Sequence, residues 1–227
     1  LPALQVLQAQ GEATRERNAA LGLLSSSSSY LGAAQTLYRL SIQRTKPDVG
    51  RDAGFQERDW SRIREGQERL QRTIDPTVDR ALLRWALGHA AELPAAQRLD
   101  TVDKAVGLNA GVDKASAAKA IDTYLDGLFA NTRIADRDFR LGLIEKSTAD
   151  LVATNDTFIA LAAALEPLAE SGREAGKNRA GAVARIRPRY MDALLEKAGG
   201  LLAPDANSTL RVTFGQVKAV APRDGLL

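Results

Sequence analysis

Apolar residues recur every three to four positions along most of the chain, which is the period of a helix with one buried face. From Pro2 to about Leu24 the positions Leu4, Leu7, Ala20, Leu21 and Leu24, interleaved with Glu12, Arg15, Glu16 and Arg17, predict an amphipathic helix with Pro2 in its first turn. The serine run Ser25 to Ser29 predicts a break or polar turn. Beyond it Tyr30, Ala33, Ala34, Leu37 and Leu40 return at helical spacing until Pro47, and Lys46 to Gly54, with its Pro, Asp and two Gly, predicts a loop. Phe55 to Ile74 predicts a second long helix with Trp60, Ile63 and Leu70 inward.

Asp75-Pro76 is a restart signal, because aspartate accepts bonds from free helix amides and proline tolerates the first helical position. The helix that follows carries Val78, Leu82, Leu83, Trp85, Ala86 and Leu87. Pro94 and Gly107 bracket a shorter one, Asp113 caps a helix with a broad apolar stripe, and short helices start from Asp136 and Ser147. Asp156 to Glu166 and Arg173 to Ala198 read as a helical hairpin or one interrupted helix. Pro167 and Ser171-Gly172 are its weak points, and Pro188 adds a kink.

The period then changes to two. Leu210, Val212 and Phe214 alternate with Thr209, Arg211, Thr213 and Gly215, which predicts a strand over Thr209 to Val220, or a hairpin turning at Gly215. One strand leaves its backbone donors and acceptors unpaired. The expectation is therefore a mainly α fold, an irregular multi-helix bundle, with one C-terminal β-strand or hairpin whose partners lie outside the chain. Its boundaries are a helical domain over 1–206 and the start of a β domain over 207–227. Leu1 without an initiator Met, and an end just after Pro222-Arg223-Asp224-Gly225, lead us to expect a piece of a longer protein.

Composition narrows the chemistry. The 227 residues are 44% hydrophobic but only 5% aromatic, so the core must be built from small and aliphatic side chains between close helices. With no Cys and one His there is neither a thiolate ligand nor an H-E-x-x-H pattern, so no metal site and no cofactor are expected. A serine nucleophile needs a neighbouring base, and His89, the single histidine, sits late in the Trp85 helix with no G-x-S-x-G serine in the chain. No catalytic residue is expected. The 31 basic and 28 acidic residues are interspersed, giving a net charge of +3. Lys177, Arg179, Arg185, Arg187 and Arg189 form the densest basic stretch, and Glu170, Glu174, Asp192 and Glu196 stand at spacings suited to pairing with it. Neither nucleic acid nor a membrane is expected as a partner, since there is no aromatic interleaving and no apolar run of membrane-spanning length.

The segments "DPTVDRALLRWAL", "DGLFANTRIADRDFR", "ARIRPRYMDALL" and "PDANSTLRVTFGQVKAVAPRDG" resemble serine peptidase family forty-six, the bacterial dipeptidyl-peptidases seven and eleven. The resemblance is specific over Asp75 to Gly225 and weak before Asp75. It implies a parent with two β-barrels that carry a Ser-His-Asp triad, and a large helical insert that caps the cleft. This chain would be that insert, gating substrate and recognising the amino end of a peptide from which the parent removes dipeptides. Further implications are a peptide substrate, the flanking β-barrel domains as partners, a homodimer and a periplasmic location. The family places an amine-binding asparagine within an Asn-Asn-x-x-Lys-Asn type stretch, and the corresponding Tyr30 to Gln35 lacks those asparagines. Tyr30 and Gln35 are the substrate-binding candidates that remain. The alternative from another class is a non-catalytic helical interaction module of a degenerate relative.

Overall fold

The computed structural model describes residues 2–109, 111–200 and 214–216. Nine α-helices are found among them: α1 (Pro2–Ser26), α2 (Ser29–Gln43), α3 (Trp60–Leu70), α4 (Pro76–Ala91), α5 (Asp100–Val106), α6 (Lys114–Ala130), α7 (Arg137–Leu143), α8 (Thr148–Ala153) and α9 (Thr157–Lys197). The strand expected over Thr209–Val220 lies outside the described residues except for 214–216, which form neither helix nor strand. The chain divides into two compact units, Leu1–Arg179 and Ala180–Leu227.

Helix starts in the first unit follow local chemistry. Asp75, Asp113 and Asp136 each stand in extended backbone and accept from two amides of the following first turn, while Ser147 forms a reciprocal capping box with Asp150. Ser28 caps α2 by accepting from Leu31 N, so the serine run is a tight corner between α1 and α2. The helix expected over Phe55 to Ile74 is shorter than its pattern. It begins at Trp60, because a 3₁₀ turn over Glu57–Asp59 precedes it, and three successive carbonyl bonds from Gln71, Arg72 and Thr73 unwind its end.

α4 packs on α1 and α6, α3 on α7, and α2 on α8. Buried Leu24, Leu31, Leu37, Leu83, Leu125 and Leu151 join these helices, and three rings close the centre. Tyr30, Phe129 and Phe158 meet pairwise at 5.1 to 5.2 Å between centroids, two of the three pairs edge-on. The loop after α2 is tied down more firmly than its composition suggests. Asp52 accepts from Arg39 at 2.8 Å and Gln43 at 2.9 Å, and the guanidinium groups of Arg44 and Arg51 both lie over the Trp60 ring.

α4 buries only part of its apolar residues: Leu83, Ala86, Leu87 and Ala90 face the core, whereas Val78, Leu82 and Trp85 remain 53%, 48% and 59% exposed. One expectation is corrected. α9 is one helix of 41 residues, not a hairpin or an interrupted helix. Each proline removes a single i→i−4 bond, and Pro167 and Pro188 are both accommodated within the run. The basic stretch on α9 is not neutralised as its spacing suggests. Arg173 pairs with Glu166 and Glu170, and Lys177 with Glu174 at 2.7 Å, but among the described residues Arg179, Arg185, Arg187 and Arg189 make no ion pair with the acidic residues of their own helix. In the second unit α9 stops at a double glycine. Gly199 and Gly200 take φ of 72° and 94°, and Gly200 N donates to Leu195 O at 2.7 Å while Gly199 N donates to Glu196 O at 3.2 Å. This is a Schellman stop, which needs the left-handed backbone that glycine adopts freely.

The Asp52 contacts fix a pH dependence. The hydrogen bond from Arg39, and its charge, hold the Asp52 carboxyl below its ordinary value. A depressed folded-state value contributes stability above the unfolded value near about 4, and this is lost as pH falls through the folded value. The thermal midpoint is expected to drop between about pH 5 and pH 3, and the slope should be shallower in Asp52→Asn. An identical slope in that variant would remove Asp52 from the account.

Candidate functional site

Tyr30 and Gln35 both lie on α2, the first at its opening turn and the second one turn and a half later. The Tyr30 ring is in the core, 4% exposed, against Phe129 and Phe158. Burial, and after it the nearby Asp79 carboxylate, raise its phenol above the ordinary value, so it remains a neutral hydroxyl at physiological pH. Gln35 is half-buried, and its Nε2 donates to Ser25 Oγ at 3.5 Å, which links α2 back to the end of α1. The two side chains share a helix, but no described hydrogen bond joins them.

Three residues that the sequence pattern did not single out organise this corner. Asp79 on α4 is buried, and its Oδ1 accepts from Ser29 N, so a carboxylate is fixed at the amino end of α2, where the helix dipole favours negative charge. Arg140 on α7 is fully enclosed. Its Nη1 donates to the carbonyls of Ile134 at 2.6 Å and Ala135 at 2.9 Å. Its Nη2 donates to Gln67 O at 2.9 Å and Gln71 Oε1 at 3.2 Å. Gln67 O belongs to the last turn of α3, so the guanidinium satisfies a carbonyl that the helix itself leaves free. Desolvation pushes the Arg140 value down, and Asp136 is the main opposing charge. Asp156 is the third. It accepts from Arg133 N at 2.6 Å, from Thr132 Oγ1, and from Phe158 N and Ile159 N at the start of α9, locking the α6–α7 turn to the opening of that helix. A hint existed for Asp156 in the Asn-Asp-Thr sequence before an apolar run; nothing local marks Asp79 or Arg140.

Tyr30 and Asp79 are buried, so of these groups only the Gln35 amide reaches solvent, and the corner holds no nucleophile and base pair among the described residues. His89 is exposed, and its ring stacks on Trp85 at 6.3 Å with a 17° interplanar angle; no serine or carboxylate is hydrogen-bonded to it among the described residues. Nor do three or more His, Cys, Asp or Glu side chains converge anywhere among those residues in a way that could hold a metal ion. No helix there is long and apolar enough to cross a membrane.

Comparison with known proteins gives this scaffold its relatives. The chain is 34% identical over 203 residues to the Asp/Glu-specific dipeptidyl-peptidase of Shewanella putrefaciens. The aligned stretch takes in 88% of this chain and 27% of that protein, so the chain spans about a quarter of the length of the relative it matches. The Peptidase S46 family matches residues 1–227, the whole of the sequence. On both grounds the chain belongs to the peptidase S46 family.

Proposed function

We propose that this chain is the helical substrate-gating and amino-end recognition domain of a dipeptidyl-peptidase-like serine peptidase, periplasmic in location, whose catalytic triad is carried by flanking β-barrel domains. The observation that supports this reading most strongly is a peptidase-family match over every residue of a chain whose single histidine has neither a serine nor a carboxylate bonded to it among the described residues. A helical cap without its own triad contributes by position. Releasing two residues requires that the free ammonium of a peptide be held at a fixed distance from the nucleophile, and a rigid holder lowers the entropic cost of that alignment. Helices tied by buried polar contacts such as those of Arg140 and Asp156 suit such a holder. Closing over the cleft would also exclude water and longer-chain registers.

Within this reading Gln35 is the residue of the Tyr30–Gln35 pair with access to solvent, and its amide is the candidate for contact with the peptide. Gln35→Ala in the full-length protein is expected to raise KM for a dipeptidyl chromogenic substrate by about fivefold, roughly the worth of one hydrogen bond, with kcat little changed. An unchanged KM would remove Gln35 from the site. The relative is named for Asp and Glu specificity, so substrates with Asp or Glu as the second residue are the first to test.

A further inference from the structure

The basic stretch of α9 belongs neither to the core nor to the corner around Tyr30. No acidic residue occurs between Glu174 and Asp192, an interval that holds Lys177, Arg179, Arg185, Arg187 and Arg189. The unit Ala180–Leu227 contains seven of the 31 basic residues and four of the 28 acidic ones, so it carries the whole net charge of +3 and the other unit is neutral. Arg185, Arg187 and Arg189 are exposed and pair with no acidic residue among those described. Arg185 and Arg189 stand one turn apart and repel each other, so the cluster does not stabilise its own helix. Arginine predominates over lysine here, and its planar fork grips a carboxylate at two points where an ammonium is a single point charge.

We propose that the outer half of α9 is a docking surface for an acid-rich peptide, one that carries carboxylates beside apolar side chains. The inference is independent of the peptidase reading, since it needs no triad and no flanking domain. With 3.6 residues per turn, Arg185 and Arg189 lie about 40° apart around the helix and Arg187 about 160° from either, so cations stand on both of its sides. One turn from Arg187 are Val183, Tyr190 and Met191, which are 45%, 48% and 39% exposed. A tyrosine beside an arginine, with open aliphatic neighbours, is the composition that dominates binding energy at protein interfaces. One peptide carboxylate meets Arg187 while the next apolar side chain lies on Tyr190 and Met191. A second carboxylate, reached by crossing the helix, meets Arg185 and Arg189.

Other anionic partners fit this surface less well. A membrane is flat and meets one side of a helix, which leaves unused either Arg187 with its apolar neighbours or the Arg185–Arg189 pair. A nucleic acid presents a phosphate at every step. Asp192 and Glu196 fall on the same side of the helix as Arg185 and Arg189, where they repel so regular a row. A peptide spaces its carboxylates more widely and can set apolar residues between them. The surface is short and its charges are open to solvent, so the affinity should be micromolar and should weaken with salt.

The test uses the 227-residue chain and a fluorescein-labelled peptide in which glutamates alternate with leucine and phenylalanine, with binding read by anisotropy at low and at physiological salt. The dissociation constant is expected to rise about fivefold or more in Arg187→Gln, in Tyr190→Ala and in the double variant Arg185→Gln with Arg189→Gln, while far-ultraviolet circular dichroism stays unchanged. The control is Arg62→Gln with Arg64→Gln on α3, which removes two cations already paired to Asp59 and Glu145 and should leave binding as it is. A peptide with glutamine in place of glutamate should not bind. An equal loss in the control would mean that any positive charge on the chain serves, and no loss in the α9 variants would place binding elsewhere. Tighter binding of duplex DNA, or of phosphatidylglycerol vesicles, would assign the surface to another partner. Each of these results, like the absence of peptide binding, overturns the proposal.

Discussion

Replacing Arg140 by alanine is expected to lower the unfolding free energy by about 4 kcal/mol, read as a fall in the urea midpoint with little change in slope. The side chain is wholly enclosed and its guanidinium is shared among Ile134 O, Ala135 O, Gln67 O and Gln71 Oε1. Truncation opens a cavity and leaves three backbone carbonyls without a donor in a place water does not reach. Either effect alone is worth a few kcal/mol. Arg140→Lys should recover only part of the loss, because a single ammonium cannot span the carbonyls of the α7 approach and the end of α3 together. No carboxylate forms an ion pair with Arg140 among the described residues, so its charge is held there by neutral acceptors. A loss below about 1 kcal/mol would mean that the cost of burying the charge cancels its bonds.

Asp156→Ala is expected to cost about 3 kcal/mol. One carboxylate caps α9 through Phe158 N and Ile159 N and also receives Arg133 N and the Thr132 hydroxyl, so its loss removes a helix cap and leaves the partly buried Arg133 amide without this acceptor. Asp156→Asn separates the two parts. Its amide oxygen can still cap the helix, but its amino group cannot accept from Arg133 N, and about half the loss should remain. Equal midpoints for the Ala and Asn variants would show that the cap contributes nothing. Proteolysis supplies a second readout, since the turn between α6 and α7 should become the first site of cleavage in either variant.

What could be read from the sequence was local. Asp75-Pro76, Asp113, Asp136 and Ser147 announce their helices because a cap satisfies amides two or three residues away, and the structure has all four in that role. The mainly helical class followed from the same period. Less legible were features decided by distant partners. α9 reads as broken at Pro167 and Ser171-Gly172, yet continues, because each proline removes one bond from a run with many others. The pattern of α4 gives no sign of which apolar residues face inward, since Val78, Leu82 and Trp85 share a helix with Leu83 and Leu87 and differ only in which side meets α1 and α6.

The candidate site was legible only in part. Tyr30 and Gln35 bound the stretch that corresponds, by resemblance, to the family's amine-binding segment, and the sequence could not tell that one ring would sit among Phe129 and Phe158 while the other side chain reaches solvent. Asp79 and Arg140 are 61 residues apart, and their meeting near Tyr30 depends on how α4 and α7 pack. The family, by contrast, was visible in segments such as "DGLFANTRIADRDFR", and its match extends over the weak region before Asp75 as well.

The most direct test of the gating proposal is made in the full-length protein with residues 1–206 replaced by a short flexible linker, and with serine labelling by a fluorophosphonate confirming that the nucleophile is still active. kcat/KM is measured for a dipeptidyl chromogenic substrate with a free amino end and for its N-acetylated form. The account predicts that the intact protein cleaves the free form far better than the acetylated one, and that the shortened protein loses this discrimination while still taking the label. Discrimination that survives unchanged without the helical domain would contradict it.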